Sequence, residues 1–340
     1  MQMNGTLYNQ CGPMSTKILF ITAYDMNKYG GVQNQINLVS KKLSKLNYSV
    51  KICAPNSSDY DLGNSISFPF NKSVVSVSLI PKRNKLKEAI EWADIIHIHE
   101  PFIPLFFWRY KSNKKTIVTH HASLNRFYLI LQEILFLFVS QKVISTCVSK
   151  DALKNAHTLS EQSIIIHNGI EINPQATFTH SYNLLFMGRN ERRKNIRLYE
   201  KLANNKMING LYTFLAITNK KGKSKYIKYI ISPDESDKEK ILNFSSYYLA
   251  LNKSNESFGV VLLEAVNYGN LLISSDIESF KNVMGDSGVY FKNNDLVSLE
   301  RVIDYCTNNN LRDQWVKQYQ HIKKYDIDKL INKWISVYTN

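Results

Sequence analysis

Short apolar runs alternate with amphipathic stretches along most of the chain. Lys17-Ile-Leu-Phe-Ile-Thr22 is an unbroken apolar run, which predicts a strand buried in a parallel sheet. A polar loop and Gly30-Gly31 follow. Val32, Ile36, Val39, Leu43 and Leu46 then recur at helical spacing. Ser49–Ala54 predicts the next strand, closed by Pro55. Asp94–His99, Thr116–Thr119, Lys142–Cys147 and Ser163–His167 continue the series. Residues 173–182 are polar, carry Pro174 and read as a linker. A second series starts at Asn183–Met187. It runs through Tyr212–Ile217, Tyr226–Ile231, Tyr247–Leu251 and Leu271–Ser274. Leu311 to Tyr338 is helical and amphipathic in pieces.

Strands that alternate with helices predict doubly wound parallel sheets, and two such series predict two αβα domains. The expected divisions are an extension at 1–16, a first domain at 17–172, the linker at 173–182, a second domain at 183–318 and a C-terminal helix at 319–340 that crosses back to the first domain. Ligands in such sheets bind beyond the carboxyl ends of the strands, so a central cleft between facing domains is the expected site.

Composition narrows the class. The chain has 340 residues, too many for one ordinary core at roughly 100–200 residues per domain. Cys11, Cys53, Cys147 and Cys306 are far apart, which argues against a zinc site and a disulfide framework and for a reducing compartment. The N-terminus is polar and resembles no signal peptide. The apolar stretch from Phe127 to Val139 carries Gln132 and Glu133 and falls short of the ~20 residues that a spanning helix needs. A cytoplasmic protein, peripheral on the inner membrane face, is expected. The formal net charge of +15 favours anionic partners, although a solvated Lys-rich surface accounts for it equally well.

Chemistry concentrates in Glu256-Ser-Phe-Gly-Val-Val-Leu-Leu-Glu264. Ser257 or Asn255 could cap a helix beginning near Phe258, whose free N–H groups would make an anion site. Gly259 would admit a ligand close to the backbone. Glu264, a turn further on, could reach both hydroxyls of a ribose, and Glu256 stands before the helix. On spacing alone, an amphipathic helix with surface glutamates explains the segment as well.

That segment resembles the E-x-F-G-x-x-x-x-E signature of the family 4 retaining glycosyltransferases, which have the GT-B fold. Gly30-Gly31-Val32-Gln33 is similar to the family's GGV loop and to the GGVQ of phosphatidylinositol mannosyltransferases. Ile96-His-Ile-His-Glu-Pro-Phe102 resembles its H-x-H-E-P segment, and Thr119-His-His-Ala-Ser123 its T-x-H loop. His167-Asn-Gly-Ile170 resembles P-N-G-[IV], and Gly188-Arg-Asn-Glu-Arg-Arg-Lys-Asn195 its G-R-x…K-G loop. The motifs stand in the family's order over about residues 17–300.

The resemblance implies roles. Gly31 would let a loop N–H reach the donor diphosphate. Arg189 and Lys194 would neutralise charge growing on the leaving nucleotide. Glu264 would hold the ribose and Glu256 a hydroxyl of the donor sugar, with Phe258, Gly259 and Val260 beside them. His121 would line the sugar site, with His120 as the rival for that place, and Gln33 with His121 would meet the acceptor. Surface charge and a structural histidine are the plain alternatives. His97 and His99 alternate along a strand and are expected on opposite faces, at least one of them structural. Asn252-Lys253 depart from the family's Pro-Ser, and Asn195 replaces its Gly. Asn219 to Asn243 is short and Lys-rich where the family reads the base.

No pair of carboxylates suits double displacement, so the resemblance implies front-face attack with retention. The only expected co-substrate is a nucleotide diphosphate sugar, with no cofactor and no metal. Asp326-Ile-Asp328 reads as a helix start rather than a metal site. Phe102–Trp108 followed by Arg109, Lys111, Lys114 and Lys115 suggests either an interfacial membrane contact or a core helix with a basic turn. The expected reaction moves a hexose to a lipid-linked, saccharide or other hydroxyl acceptor, and a lipid-linked or anionic one leads. A nucleic-acid partner is disfavoured because no recognition motif accompanies the charge. A base-modifying glycosyltransferase, a nucleic-acid binder and a non-catalytic GT-B scaffold are the rivals.

Overall fold

A computed structural model describes residues 15–28, 30–70, 73–78, 81–101, 112–122, 129–130, 142–157, 162–254, 256–309 and 311–340. The extension at 1–14, Asn255, Phe102–Lys111 and most of Phe127–Val139 lie outside the described residues.

Two parallel sheets form the frame. The first has the order β3-β2-β1-β6-β7-β8-β9. Its strands are β1 (Lys17–Thr22), β2 (Ser49–Ala54), β3 (Tyr60–Asp61), β6 (Ile95–His99), β7 (Lys115–His120), β8 (Ile144–Cys147) and β9 (Ile164–Ile165). A separate pair, β4 (Ile66–Phe70) and β5 (Ser73–Val77), was not marked by any apolar run. The second sheet has the order β12-β11-β10-β13-β14-β15. It contains β10 (Asn183–Met187), β11 (Thr213–Thr218), β12 (Ile227–Ile231), β13 (Tyr247–Ala250), β14 (Leu271–Ser275) and β15 (Val289–Phe291).

The apolar runs become strands because both sheet faces are covered. Every residue of β13 and β14 is buried, and Ile18 to Ile21 of β1 are at most 1% exposed. β15 escaped the sequence pattern because its three residues are too few to show a period.

The described residues group into two compact units. One draws on Met1–Ile66, Ser76–Thr119 and Val139–Ile144, the other on Ser67–Val75, His120–Phe138 and Ser145–Asn340. In the second unit, Tyr199, Tyr247, Phe186, Phe214 and Phe280 fill a continuous core. Tyr199 keeps its hydroxyl satisfied by donating to the Leu184 and Leu215 carbonyls at 2.6 and 3.0 Å. Near the C-terminus a helix at Arg312–Ile322 runs through the expected 318/319 division. The next break is a turn at Lys323–Tyr325, and Asp326 caps the final helix, Ile327–Thr339, by accepting from the Asp328 N–H at 3.0 Å. Ile170 and Asp326 form a parallel bridge.

One expectation from the strand pattern is corrected here. His97 and His99 share a face of β6, because residues two apart on a strand point the same way. Their rings stack at 4.2 Å, and both meet Phe20 edge-on, at 5.1 and 5.2 Å. His97 Nε2 lies 2.6 Å from Thr119 Oγ1. Both histidines are buried parts of the first sheet.

Candidate active site

Both sheets reverse direction at one place, and there the loops of neighbouring strands diverge to opposite faces. In the second sheet that place lies between β10 and β13, paired in parallel with Leu184 opposite Tyr247. The loop after β10 carries Gly188 to Asn195, and the loop after β13 carries Asn252 to Gly259. Strand adjacency therefore brings together two segments about sixty residues apart. The Lys253 N–H donates to the Arg193 carbonyl at 2.8 Å, tying the loops directly. Ser275 Oγ donates to the Asn252 carbonyl at 2.6 Å, and Asn293 to the Lys253 carbonyl at 2.9 Å.

Glu256 is the centre of the cluster. Its Oε2 accepts from Lys194 Nζ at 2.6 Å, Asn252 Nδ2 at 2.6 Å and Arg193 at 3.3 Å. Burial on its own would raise this carboxyl, but Lys194 and then Arg193 outweigh it and hold Glu256 below the usual carboxylate range. Arg193 also donates to Glu191 at 3.1 Å, and Arg189 stands 3.7 Å from the other oxygen of Glu191. Three cations thus share two carboxylates in one partly buried network, which leaves a net positive charge for a ligand anion.

The backbone around the cluster is left-handed at two points. Asn195, with φ 62°, precedes the helix Ile196–Ala203. Asn tolerates this region better than other side chains, which explains how it stands where the family has Gly. Gly259, with φ 80°, precedes the helix Val260–Asn267. The helix therefore starts two residues later than expected, and its N-cap, Gly259, has no side chain with which to cap it. A Cβ on Gly259 would meet Phe280 at 3.2 Å and Leu262 at 3.3 Å, so glycine is required on both counts. Phe258 is 2% exposed, packed between His167 and Tyr325, so its side chain belongs to the core.

Glu264 lies one turn into that helix. Its Oε2 is buried, accepts no hydrogen bond and sits 3.6 Å from Lys238 Nζ, which is too long for one. Burial raises its pKa, Lys238 opposes and Glu235 adds to the rise. Lys238, 2.9 Å from Glu235, belongs to the helix Glu235–Phe244, inside the Lys-rich segment where base reading was in doubt. A carboxylate with an unused buried oxygen is suited to accept ligand hydroxyls.

The structure thus gathers Arg189, Lys194 and Glu256 in one network, and sets Gly259, Val260 and Glu264 on the helix that follows. It adds Arg193, Asn252 and Lys238, which the motifs did not single out. Gly31 and Gln33 lie in the first unit, at its own sheet reversal between β1 and β6. Gly31 opens the helix Gly31–Lys45, and a Cβ there would meet nothing within 4 Å. Gln33 donates to the Asp25 carbonyl at 3.1 Å, so its amide helps to build the loop after β1. Glu100, at the end of β6, is left-handed at φ 55° and buried, a strained position that the strand pattern could not reveal. His120 ends β7 and His121 follows it. Burial pushes both imidazoles down to about 3, so both are neutral at physiological pH.

Two family models match the chain: Glycosyltransferase Family 4 over residues 29–173, and Glycosyl transferases group 1 over residues 170–325. The chain is a family 4-like glycosyltransferase. It is 24% identical to a phosphatidyl-myo-inositol mannosyltransferase of Mycobacterium leprae, covering 95% of this chain and 96% of that one. It resembles in fold the sucrose-phosphate synthase from Thermosynechococcus elongatus, with a TM-score of 0.71, 14% identity and coverage of 95% and 98%. A solved alpha-glucosyltransferase in complex with UDP and a 13-mer DNA has a TM-score of 0.69 at 13% identity, with 96% and 100% covered. This family 4-like transferase therefore has the GT-B fold, as two Rossmann-like parallel-sheet domains. It is an enzyme of the hexosyltransferase class.

Proposed function

We propose that this protein transfers a hexose, with retention, from a nucleoside diphosphate sugar to a hydroxyl of a lipid-linked or other anionic acceptor. One observation carries the reading: the cluster of Arg189, Arg193 and Lys194 around Glu256, beside a left-handed glycine and the under-bonded carboxylate of Glu264.

In this reading the donor diphosphate meets Arg189 and Lys194. Lys194 has three ammonium hydrogens, so it can keep Glu256 and still donate to a phosphate oxygen. Glu256 also accepts from a sugar hydroxyl, and Glu264 accepts from the ribose. The acceptor oxygen forms its bond to the anomeric carbon as the bond from that carbon to the diphosphate breaks. The acceptor's proton passes to the leaving phosphate oxygen on the same face. Negative charge grows on the leaving group, and the cations are already in place to offset it without a metal. Neutral His121 would line the sugar site and hydrogen-bond there, and Gln33 would belong to the acceptor side. The relative from Mycobacterium leprae is named for a phosphoinositide acceptor, which supports a lipid acceptor here. Among the described residues no helix is long and apolar enough to cross a membrane. The net charge of +15 supports peripheral attachment to an anionic membrane face as part of this reading.

A melting-temperature screen against UDP, GDP, ADP and their sugars tests the donor. One nucleotide should raise the melting point, and Glu264→Ala should abolish the shift. No shift with any nucleotide would favour the scaffold reading. An inverted anomer in the product would rule out retention. The net charge of +15 also suits DNA, so steeply salt-dependent DNA binding with glucosylated DNA as product would move the acceptor assignment there.

A further inference from the structure

The helix Glu235–Phe244 is tied to the helix that carries Glu264 and to the turn after it. Lys238 Nζ stands 3.6 Å from Glu264, the Tyr268 hydroxyl donates to Glu239 at 2.7 Å, and Asn270 donates to the Leu242 carbonyl at 2.8 Å. Asp234 caps the first of these helices by accepting from the Asp237 N–H at 2.8 Å, which fixes the opening turn and Glu235 with it.

Lys238 is 7% exposed, and an ammonium buried that far needs carboxylates beside it. It has two. Glu235, with a side chain 61% exposed, is 2.9 Å away, and Glu264, 16% exposed, is 3.6 Å away. The two distances do different things. Glu235 is within hydrogen-bonding reach of the ammonium. At 3.6 Å Lys238 still offsets the charge of Glu264, but Oε2 of Glu264 keeps no hydrogen bond. Burial is the largest influence on Glu264 and raises its pKa, Lys238 lowers it, and Glu235 raises it. The other neighbours bring no further charge to it among the described residues. Tyr268 spends its hydroxyl on Glu239, and β14 carries only Leu, Ile and Ser. The helix Arg312–Ile322 meets the Glu264 helix with Trp315, whose indole N–H donates to the Val266 carbonyl at 3.2 Å.

We propose that Lys238 is a positioning residue for nucleotide binding: it holds Glu264 as a carboxylate with its buried oxygen open, so that Glu264 accepts from both ribose hydroxyls of a nucleoside diphosphate. This role rests on the reading of Glu264 as the ribose partner. An ionised carboxylate only accepts and can take two hydroxyl donors at once, whereas a protonated one turns an oxygen into a donor. Hydrogen bonds to the charged form are also about twice as strong. Burial works against that form, and the cation opposes burial from a distance that does not consume the acceptor. Glu235 keeps Lys238 at that distance by holding its ammonium nearer.

The test compares UDP, GDP and ADP with their 2′,3′-dideoxy analogues by calorimetry on the full-length protein, between about pH 5 and about pH 8. The ratio of the two dissociation constants isolates the ribose hydroxyls, since the phosphates titrate alike in both. For the nucleotide that binds, the ratio should favour ribose at neutral pH and collapse on acidification as Glu264 takes a proton. In Lys238→Met the collapse should begin about 1–3 pH units higher, the effect of one adjacent charge, with the dideoxy affinity unchanged. Lys238→Arg should behave as the wild type. Glu235→Gln, at an exposed side chain, removes the opposing charge and should move the collapse to lower pH. A Lys238→Met profile superimposed on the wild type, or an equal loss for the dideoxy nucleotide, would overturn the role of Lys238. An unmoved or raised profile in Glu235→Gln would do the same. A ribose preference that is missing in the wild type, or that survives Glu264→Ala, overturns the ribose reading itself.

Discussion

Glu256 shows how much of a site rests on a single carboxylate. It holds Lys194, Arg193 and Asn252 together, so Glu256→Gln removes the charge that organises three neighbours. With the donor found by melting shift, kcat should fall by roughly 10²–10³-fold, the usual range for losing a group of this kind. Lys194→Met should give a comparable loss, and the double variant should fall little below either single one, because the two act as a unit. Glu264 has a raised pKa and protonates at a higher pH than a free glutamate. Donor KM should therefore rise on acidification before other carboxylates titrate, measured as KM against pH. Arg189, Lys194, Glu256 and Glu264 could be named as candidates from the sequence because motif order marks them. Arg193, Asn252 and Lys238 were not, because their value lies in which strand ends are neighbours. Asn252 looked like a departure from the family, yet it donates the 2.6 Å bond to Glu256.

Elements impose their own constraints. The helix Val260–Asn267 starts only because Gly259 turns left-handed. Gly259→Ala should cost about 1–2 kcal/mol from the dihedral, with more from the Phe280 contact, read from a urea midpoint. Sequence placed this start two residues early, since Ser257 is a common capping residue and no local pattern reveals a positive φ. β7 carries a different signal. His120 is fully buried with a folded pKa of about 3, against about 6.5 unfolded. Between those values the unfolded chain binds a proton and the folded chain does not. The stability this histidine confers is present above about pH 6.5 and lost as the pH falls toward 3. His120→Gln should therefore flatten the fall of unfolding free energy between pH 6 and 4 by about 1.4 kcal/mol per pH unit. His97 and His99 were misassigned to opposite faces, and their 4.2 Å stacking restores the period of two.

At the scale of the whole molecule, charge is the property that remains after the fold is built. With a net charge of +15, the protein should sediment with anionic vesicles at low salt and be released near 0.5 M salt, since exposed charges are screened within a few ångströms there. Neutral vesicles should not retain it. Retention on neutral vesicles in high salt would point to apolar insertion instead. The sequence by itself determined the class of architecture. Short apolar runs separated by amphipathic stretches can bury their surfaces only as covered parallel sheets, and that depends on periods of two and 3.6 residues that any short window contains. It also pointed to a family 4-like glycosyltransferase, because the motif-bearing segments keep that family's order. Tertiary structure alone decided which loops became neighbours. β10 lies beside β13 in the sheet, not beside the next strand on both edges, and that order sets Lys194 against Glu256. Such encounters join positions about sixty residues apart, a distance that local periodicity does not carry.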